Sequence, residues 1–495
     1  IWDIVDDKYW GGTGWGPETW LSCSTQTLPT WVYQPVTEFS WQTGHRYWLI
    51  PKADDKGGNV QVNLSTSVFT FDNSGPDSVT TVPQEDIYYK TLTLLEGTCK
   101  DLPEGTTLYN AGLDKQEIRI MDLTDNECWT GSAWSTTTVM YIEVTNLYTS
   151  TWTHTFSDAD WTTGHKYRIN TKATDNVPNQ EITISTRIFY SDKDAPTLAV
   201  ASPQGDVNVA PETISGTAVD HPDAPLEKAG VALVELEVYD TNDGEYWTGS
   251  IWSSTPTWFN CGNTTWEYSV PSPSDTWTDG HTYRIKARAT DGAQPGNSAI
   301  SSQVFFTYDK TKPTSVVDVP QKDVYYPYGQ PQTLSGTATD PLPGSDVDTV
   351  EVAIKKMSNN AYWGGSDWLD PATGENWVPV TNYNETTDEW DYTVPYPTST
   401  WSDGISYAVW SRATDSAGNQ EAVVSSNVFT ADHSVPTSEV TYPQDGQDLN
   451  VTPSLEGTCS DPSPGRVVQL QISLKRQDNR YYPGTGTTWG EIGVE

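Results

Sequence analysis

The sequence predicts an all-β chain of sandwich repeats set end to end. Three observations carry that prediction. One set of motifs returns about every 120 residues. Turn residues punctuate each unit at short intervals. The apolar residues alternate with period two, and no long 3.6-residue periodicity appears.

Four anchors define the unit. Phe-x-x-Asp-x-x-x-Pro stands at Phe69/Asp72/Pro76, Phe189/Asp192/Pro196, Phe306/Asp309/Pro313 and Phe429/Asp432/Pro436, its Asp residues 120, 117 and 123 positions apart. Pro-Gln recurs at Pro83, Pro203, Pro320 and Pro443. Gly-Thr-[Cys/Ala]-x-Asp ends at Asp101, Asp220, Asp340 and Asp461. Trp-x-Gly-[Ser/Thr]-x-Trp gives the pairs Trp10/Trp15, Trp129/Trp134, Trp247/Trp252 and Trp363/Trp368. Four motifs keeping one period describe a domain-sized repeat, not a solenoid coil. The linker places whole units at 76–195, 196–312 and 313–435, a back part at 1–75 and a front part at 436–495 that reaches just past Trp489. By itself each outer part would leave an apolar face and strand edges open. Each is therefore expected to be completed by further chain, or by another molecule through strand complementation.

Within a unit the elements read in order as short strands. VALVELEVYD (231–240) is largely apolar and β-branched. The Gly249-Ser250 pair that follows fits a two-residue II′ turn, which makes Trp247 and Trp252 cross-strand partners. HTYRIKARATD (281–291) alternates, with Tyr283, Ile285 and Ala287 on one face and Arg284, Lys286 and Arg288 on the other. SSQVFFTYD closes the unit. Seven or so strands in about 120 residues make a β-sandwich. Tyr47, Tyr167, Tyr283 and Tyr407 all fall in Gly-x-x-Tyr just before the alternating strand, the place of a tyrosine corner. That position narrows the expectation to tandem immunoglobulin-like or fibronectin-III-like sandwiches. Asp-x3-Asn forms the next turn in three copies, and Asp291 to Asn297 lengthens it by two residues.

RATDSAGNQ (412–420), the Phe-Thr-x-Asp-x-x-x-Pro-Thr linker and YWTGSIW (246–252) together resemble bacterial Ig-like repeats, over essentially the whole chain. Such repeats occur in tandem in very large secreted and cell-surface proteins. The resemblance implies an extracellular setting and no catalytic residues.

Composition bounds the partners. There are 27 basic and 66 acidic residues, a net charge of −39. That charge repels nucleic-acid phosphates and anionic membrane surfaces and suits divalent cations or solubility. No run of about 18 apolar residues is present, so no membrane insertion is expected in this segment. The first residue is Ile1, which reads as a processed product or a window onto a longer chain.

The candidate chemistry lies at the junctions. In this topology the last strand of one unit meets the B–C and F–G loops of the next. Three recurring acids then converge: Asp72 with Asp101 and Asp175, Asp192 with Asp220 and Asp291, and Asp309 with Asp340 and Asp415. Asp432 and Asp461 begin a fourth set. Carboxylate clusters between sandwiches suit calcium, which takes about 6–8 oxygen ligands. The competing expectation is that each Asp caps its own turn.

His45, His165 and His281 share one position that Ile405 fills in the fourth copy; no ligand partner is read beside them, so they are expected to pack at the corner. Cys99 and Cys128 lie in one unit and are candidates to bridge, while Cys23, Cys261 and Cys459 have no mate there. Asn63, Asn263, Asn384 and Asn450 head weakly signalled glycosylation sequons.

Acids copied once per repeat read as architecture rather than as an active site. The sequence therefore predicts a non-enzymatic extracellular stalk, fibre, filament or sheath whose partners are adjacent repeats or copies of itself. The alternatives are a surface adhesin that binds glycans or other cell-surface proteins through the eight hairpin tryptophans, and spacer modules of a secreted enzyme.

Overall fold

The computed structural model describes residues 1–477 apart from positions 28, 36, 423 and 425, together with residues 480 and 482. The hairpin expected at Trp489 lies outside them.

The central repeat shows how the unit is built. Its elements are β1 (Thr197–Ser202), β2 (Gly205–Val207), β3 (Thr213–Val219), β4 (Val231–Asp240), β5 (Glu245–Trp247), β6 (Trp252–Ser253), β7 (Phe259–Gly262), β8 (Thr265–Ser269), α1 (Pro273–Thr276), β9 (His281–Asp291), β10 (Ser298–Ile300) and β11 (Val304–Tyr308). One sheet runs β1-β3-β8, and the facing sheet runs β2-β11-β9-β4-β5-β6, with β7 beside β4 and β10 beside β9. All pairs are antiparallel except β2 with β11. The flanking repeats keep this plan, with sheets of four and seven strands over residues 77–191 and of four and six over 314–431.

Alternation sets the core. On β9 the buried apolar residues are Tyr283, Ile285, Ala287 and Ala289, while Arg284 and Arg288 turn outward to Glu237 and Glu235 on β4. Trp266, Trp277, Tyr283, Ile285 and Phe306 form one apolar cluster between the sheets. Burying each such large side chain contributes about 1.5–3 kcal/mol.

The Gly-Thr motif has a packing cause. A Cβ on Gly216 would stand 2.1 Å from the Ala199 carbonyl oxygen and 2.2 Å from Trp266 Cζ2. Neither neighbour can withdraw, one being backbone and the other a buried ring. Gly97 meets Val79 and Trp152 in the same way, and Gly336 meets Val316 and Trp390.

The tyrosine corners are present in four copies. The hydroxyls of Tyr47, Tyr167, Tyr283 and Tyr407 accept from the backbone N–H groups of Gln42, Thr162, Thr278 and Ser402 at 3.0, 2.8, 2.7 and 2.7 Å. Each fixes the turn that leads into the long central strand.

The outer parts of the chain show what an unopposed sheet looks like. Residues 1–75 form a five-stranded sheet and a separate two-stranded one (Thr25–Thr27 with Thr30–Val32), and residues 437–460 hold one antiparallel strand pair. Phe69 is 37% exposed, whereas its equivalents Phe189, Phe306 and Phe429 are each 1% exposed. The whole repeats have a second sheet across that ring.

Candidate metal centre at the repeat junctions

Local structure delivers one acid to each corner of the junction. Asp192 directly follows the last strand of its repeat (Thr186–Ser191), Asp220 directly follows β3, and Asp291 ends β9. The Asp192 backbone is tied back to its own repeat through Tyr89 O at 2.9 Å. It is tied forward as well, since Asn297 Nδ2 donates to Asp192 O at 3.0 Å and to Asp291 Oδ2 at 2.7 Å. Neighbouring contacts lock the two repeats together. Glu227 N donates to Gly164 O at 3.0 Å, and Gln294 exchanges bonds with Tyr88 O and Lys90 N at 2.9 and 3.1 Å.

The result is a buried carboxylate triad. Asp192, Asp220 and Asp291 are 0, 3 and 3% exposed, and their ligand oxygens lie within 4.8 Å of one another. Asp72, Asp101 and Asp175 form the same group at the preceding junction. At the following junction Asp309 and Asp415 are close enough to raise Asp340 electrostatically. Asn419 there bridges Asp415 and the Asp309 carbonyl as Asn297 does.

Local capping and convergence coexist. Asp291 Oδ1 accepts from Ala293 N and Asn297 N, which closes its own loop. Asp192 Oδ2 and Asp220 Oδ2, in contrast, accept from Ala229 N and Gly230 N, consecutive amides of the next repeat's B–C loop. Asp220 Oδ1 and both carboxylate oxygens of Asp340 are buried with no donor in good hydrogen-bond geometry, the backbone N–H groups of His221 and Ser345 acting on them only loosely, and Asp461 Oδ1 is likewise without one; Asp101 Oδ1, in contrast, accepts from Leu102 N at 2.9 Å.

Buried carboxylates without a cation resist ionisation. Burial, with Asp220 and Asp291 beside it, pushes Asp192 up to about 6. Burial, with Asp309 and Asp415 beside it, does the same to Asp340, also to about 6. Burial raises Asp101, Asp220 and Asp415 as well. A hard divalent cation relieves this, because it takes carboxylate and carbonyl oxygens and favours their charged form. The donor set fits calcium: oxygen only, three carboxylates, with Asp220 Oδ1 otherwise lacking a well-placed donor.

The other candidate residues are placed differently. The hairpin tryptophans are cross-strand partners in all four copies, with ring centroids 5.3–5.4 Å apart. Gly249 opens the turn at φ +96°, where glycine is required. The rings fold inward rather than forming a platform. Trp10, Trp129, Trp247 and Trp363 are buried, and Trp15, Trp134, Trp252 and Trp368 half-buried. Trp247 Nε1 donates to Tyr268 Oη at 2.9 Å and Trp252 Nε1 to Thr276 O at 3.0 Å, so the hairpin closes the side of the sandwich.

Two expectations are corrected. Cys99 and Cys128 do not bridge, and all five cysteines are free. They occupy opposite sheets, Cys99 on the strand Leu94–Lys100 and Cys128 on Glu127–Trp129. The histidines do have a recurring partner. His45, His165 and His281 Nδ1 lie 2.7, 2.7 and 2.8 Å from Oδ2 of Asp3, Asp122 and Asp240. Those acids lie 41–43 residues earlier in the chain, so adjacency in sequence hid them.

Several solved structures are similar to this chain at low identity. One is from a 1.5-MDa bacterial ice-binding adhesin retained at a host cell surface (14% identity, TM-score 0.28, covering 73% of this chain and 98% of that one). Another is a tetra-tandem repeat from the extending region of a large adhesion protein (17%, 0.29, 78% and 81%). A third is a Ca2+-stabilised adhesin of an Antarctic bacterium that binds ice (12%, 0.26, 78% and 82%). No family profile and no curated protein matches the chain. The fold itself stands on the strand pairing described above. In it, the chain resembles tandem immunoglobulin-like and fibronectin-III-like repeats.

Proposed function

We propose that this chain is a tandem-repeat segment of an extracellular, adhesin-type surface protein, with calcium held between successive repeats so that the string stays extended. The observation that carries this reading is the buried triad of Asp192, Asp220 and Asp291, in which Asp220 Oδ1 lacks a well-placed donor. Asp192 would anchor the ion to one repeat and Asp220 and Asp291 to the next, so binding restrains the angle between them. The ion's contribution is electrostatic: it neutralises three buried charges contributed from both sides of the junction. Nothing in the reading calls for catalysis, since the acids recur with the fold. Among the described residues no helix is long and apolar enough to cross a membrane.

The test is calcium titration of the whole chain with small-angle X-ray scattering. Binding at the three complete triads and a longer maximum dimension in calcium than in chelator are expected. Unchanged scattering with no binding up to millimolar calcium would reject the reading.

A second observation favours an adhesive face as well. Lys52 lies over Trp20, Lys172 over Tyr141, Arg288 over Trp258 and Arg412 over Trp377, at 4.3–4.7 Å from the ring centroids. These cations each sit five residues after the corner tyrosine, so a cation-backed aromatic recurs at the same place on each repeat. Trp20 is 44% exposed, and an exposed aromatic ring of this kind can stack on a sugar. These aromatics replace the hairpin tryptophans as the surface to test. Glycan-array binding that survives Trp20→Ala, Tyr141→Ala, Trp258→Ala and Trp377→Ala together would remove it.

A further inference from the structure

A second set of ligand-type side chains lies away from the junctions. Beside each corner histidine stand two acids of one tight turn: Asp3 and Asp6 at His45, Asp122 and Asp125 at His165, Asp240 and Asp243 at His281. In each group the imidazole nitrogen and one oxygen of either carboxylate lie within 4.8 Å of one another. The first acid is buried and hydrogen-bonded to Nδ1. The second is exposed and touches the ring only at long range, with Asp125 Oδ2 3.9 Å and Asp243 Oδ2 4.0 Å from Nδ1. A hydrogen-bonded His–Asp lock needs no third group.

The fourth copy separates the two roles. Lys356 pairs with Tyr407 in the register by which Asp122 pairs with Tyr167 and Asp240 with Tyr283. Ile405 replaces the histidine, and Asn359 stands three residues after Lys356, where the second acid would be. All three positions have changed together. The turn has not: Asn360 N donates to Lys356 O at 2.9 Å, as Gly244 N does to Asp240 O at 3.0 Å, and Asn360 keeps φ +60° beside +57° at Asn126. The turn therefore forms without either acid. The exposed acid is kept where the histidine is kept, although it makes no close contact with it.

We infer that these three His–Asp–Asp clusters are sites for a divalent transition ion of the zinc class. An imidazole nitrogen with two carboxylates suits such an ion, whose ligand distances are about 2.0–2.2 Å, whereas calcium prefers oxygen alone. Binding uses the Nδ1 lone pair, so the Nδ1–H to carboxylate bond opens and the ring proton moves to Nε2 by exchange with water. Solvent fills the remaining positions, since Asp125 and Asp243 face it. Asp6 also pairs with Lys8 at 3.5 Å, so the site at His45 is the weakest of the three. This inference does not rest on calcium at the junctions.

The test titrates the whole chain with zinc chloride and, separately, with cobalt(II), whose visible bands report nitrogen ligation. Both titrations are run with and without millimolar calcium. Three ions per chain are expected. His165→Ile and His281→Ile each remove one, and both should fold because Ile405 occupies that position natively. Asp243→Asn, which copies Asn359, weakens its site at least tenfold. Lys356→Asp with Asn359→Asp and Ile405→His adds a fourth ion. Asp220→Asn at the junction leaves the zinc count unchanged. The inference is overturned if zinc does not bind below millimolar concentration, or if Asp243→Asn leaves binding unaltered; the clusters would then be fold locks only.

Discussion

Asp220→Asn should change sign with calcium. In the apo chain the substitution removes one of three charges whose ligand oxygens lie within 4.8 Å. One such pair repels by about 3 kcal/mol at an effective dielectric of about 20. Asp192, at about 6, is partly protonated near neutral pH. That protonation and solvent screening leave a relief of about 1–3 kcal/mol. The Gly230 N–H keeps an acceptor, because the amide oxygen can take the place of Oδ2. In chelator the variant should therefore be the more stable protein. With calcium the order reverses, since wild type gains about 2.7 kcal/mol at a hundredfold excess over Kd and the variant loses most of that gain. Scanning calorimetry of the whole chain, with and without chelator, reads the transition that moves; a string of repeats unfolds in more than one step. If Asp220→Asn is destabilising by the same amount in both buffers, the carboxylate is only a turn cap and the junction holds no ion.

Four further outcomes follow from the same structure. Raised pKa values at Asp192 and Asp340, both about 6 against 3.8, mean that the folded apo chain binds more protons between about pH 4 and 6. Their stabilising contribution is full below about pH 4 and lost as pH rises through 6, and Asp192→Asn with Asp340→Asn should flatten that slope in chelator. Gly216→Ala drives a methyl into Ala199 O and the Trp266 ring and should destabilise its repeat by about 1–3 kcal/mol or more in urea unfolding. Tyr283→Phe strands the Thr278 N–H and should lower stability by about 1–3 kcal/mol with little change in the folded spectrum. Burial pushes the thiols of Cys99 and Cys261 up to about 11 and 12, so a disulfide reagent should modify exposed Cys459 far faster than either.

Much of this molecule is readable in one dimension because it is copied. Repetition exposed the Asp72, Asp101 and Asp175 spacing and its successors, and sandwich topology alone brought those acids to one junction. The register of Trp247 with Trp252 followed from a two-residue turn, and the corner at Tyr283 from its place before an alternating strand. Three things needed coordinates. The ring directions of the hairpin tryptophans depend on which face of a short strand looks inward, and three-residue strands leave that open. Gly216 is set by a tryptophan 50 residues away on β8. The partners of His165 and His281 lie on a neighbouring strand. A signal for them was present in sequence, since Asp-x-x-Asp accompanies each of the three histidines and Lys356-x-x-Asn359 accompanies Ile405.

The parallel pairing of β2 with β11 bears on how the chain meets tension. Gly205–Val207 near the start of the repeat lies alongside Phe306–Tyr308 at its end, and Ile87–Tyr89 lies likewise against Phe189–Ser191. Pulling on the two ends of such a unit slides these strands past each other lengthwise. Their hydrogen bonds are then loaded together instead of being unzipped one at a time. A repeat wired in this way withstands drag as a unit and yields abruptly, and a string of them releases its slack one link after another.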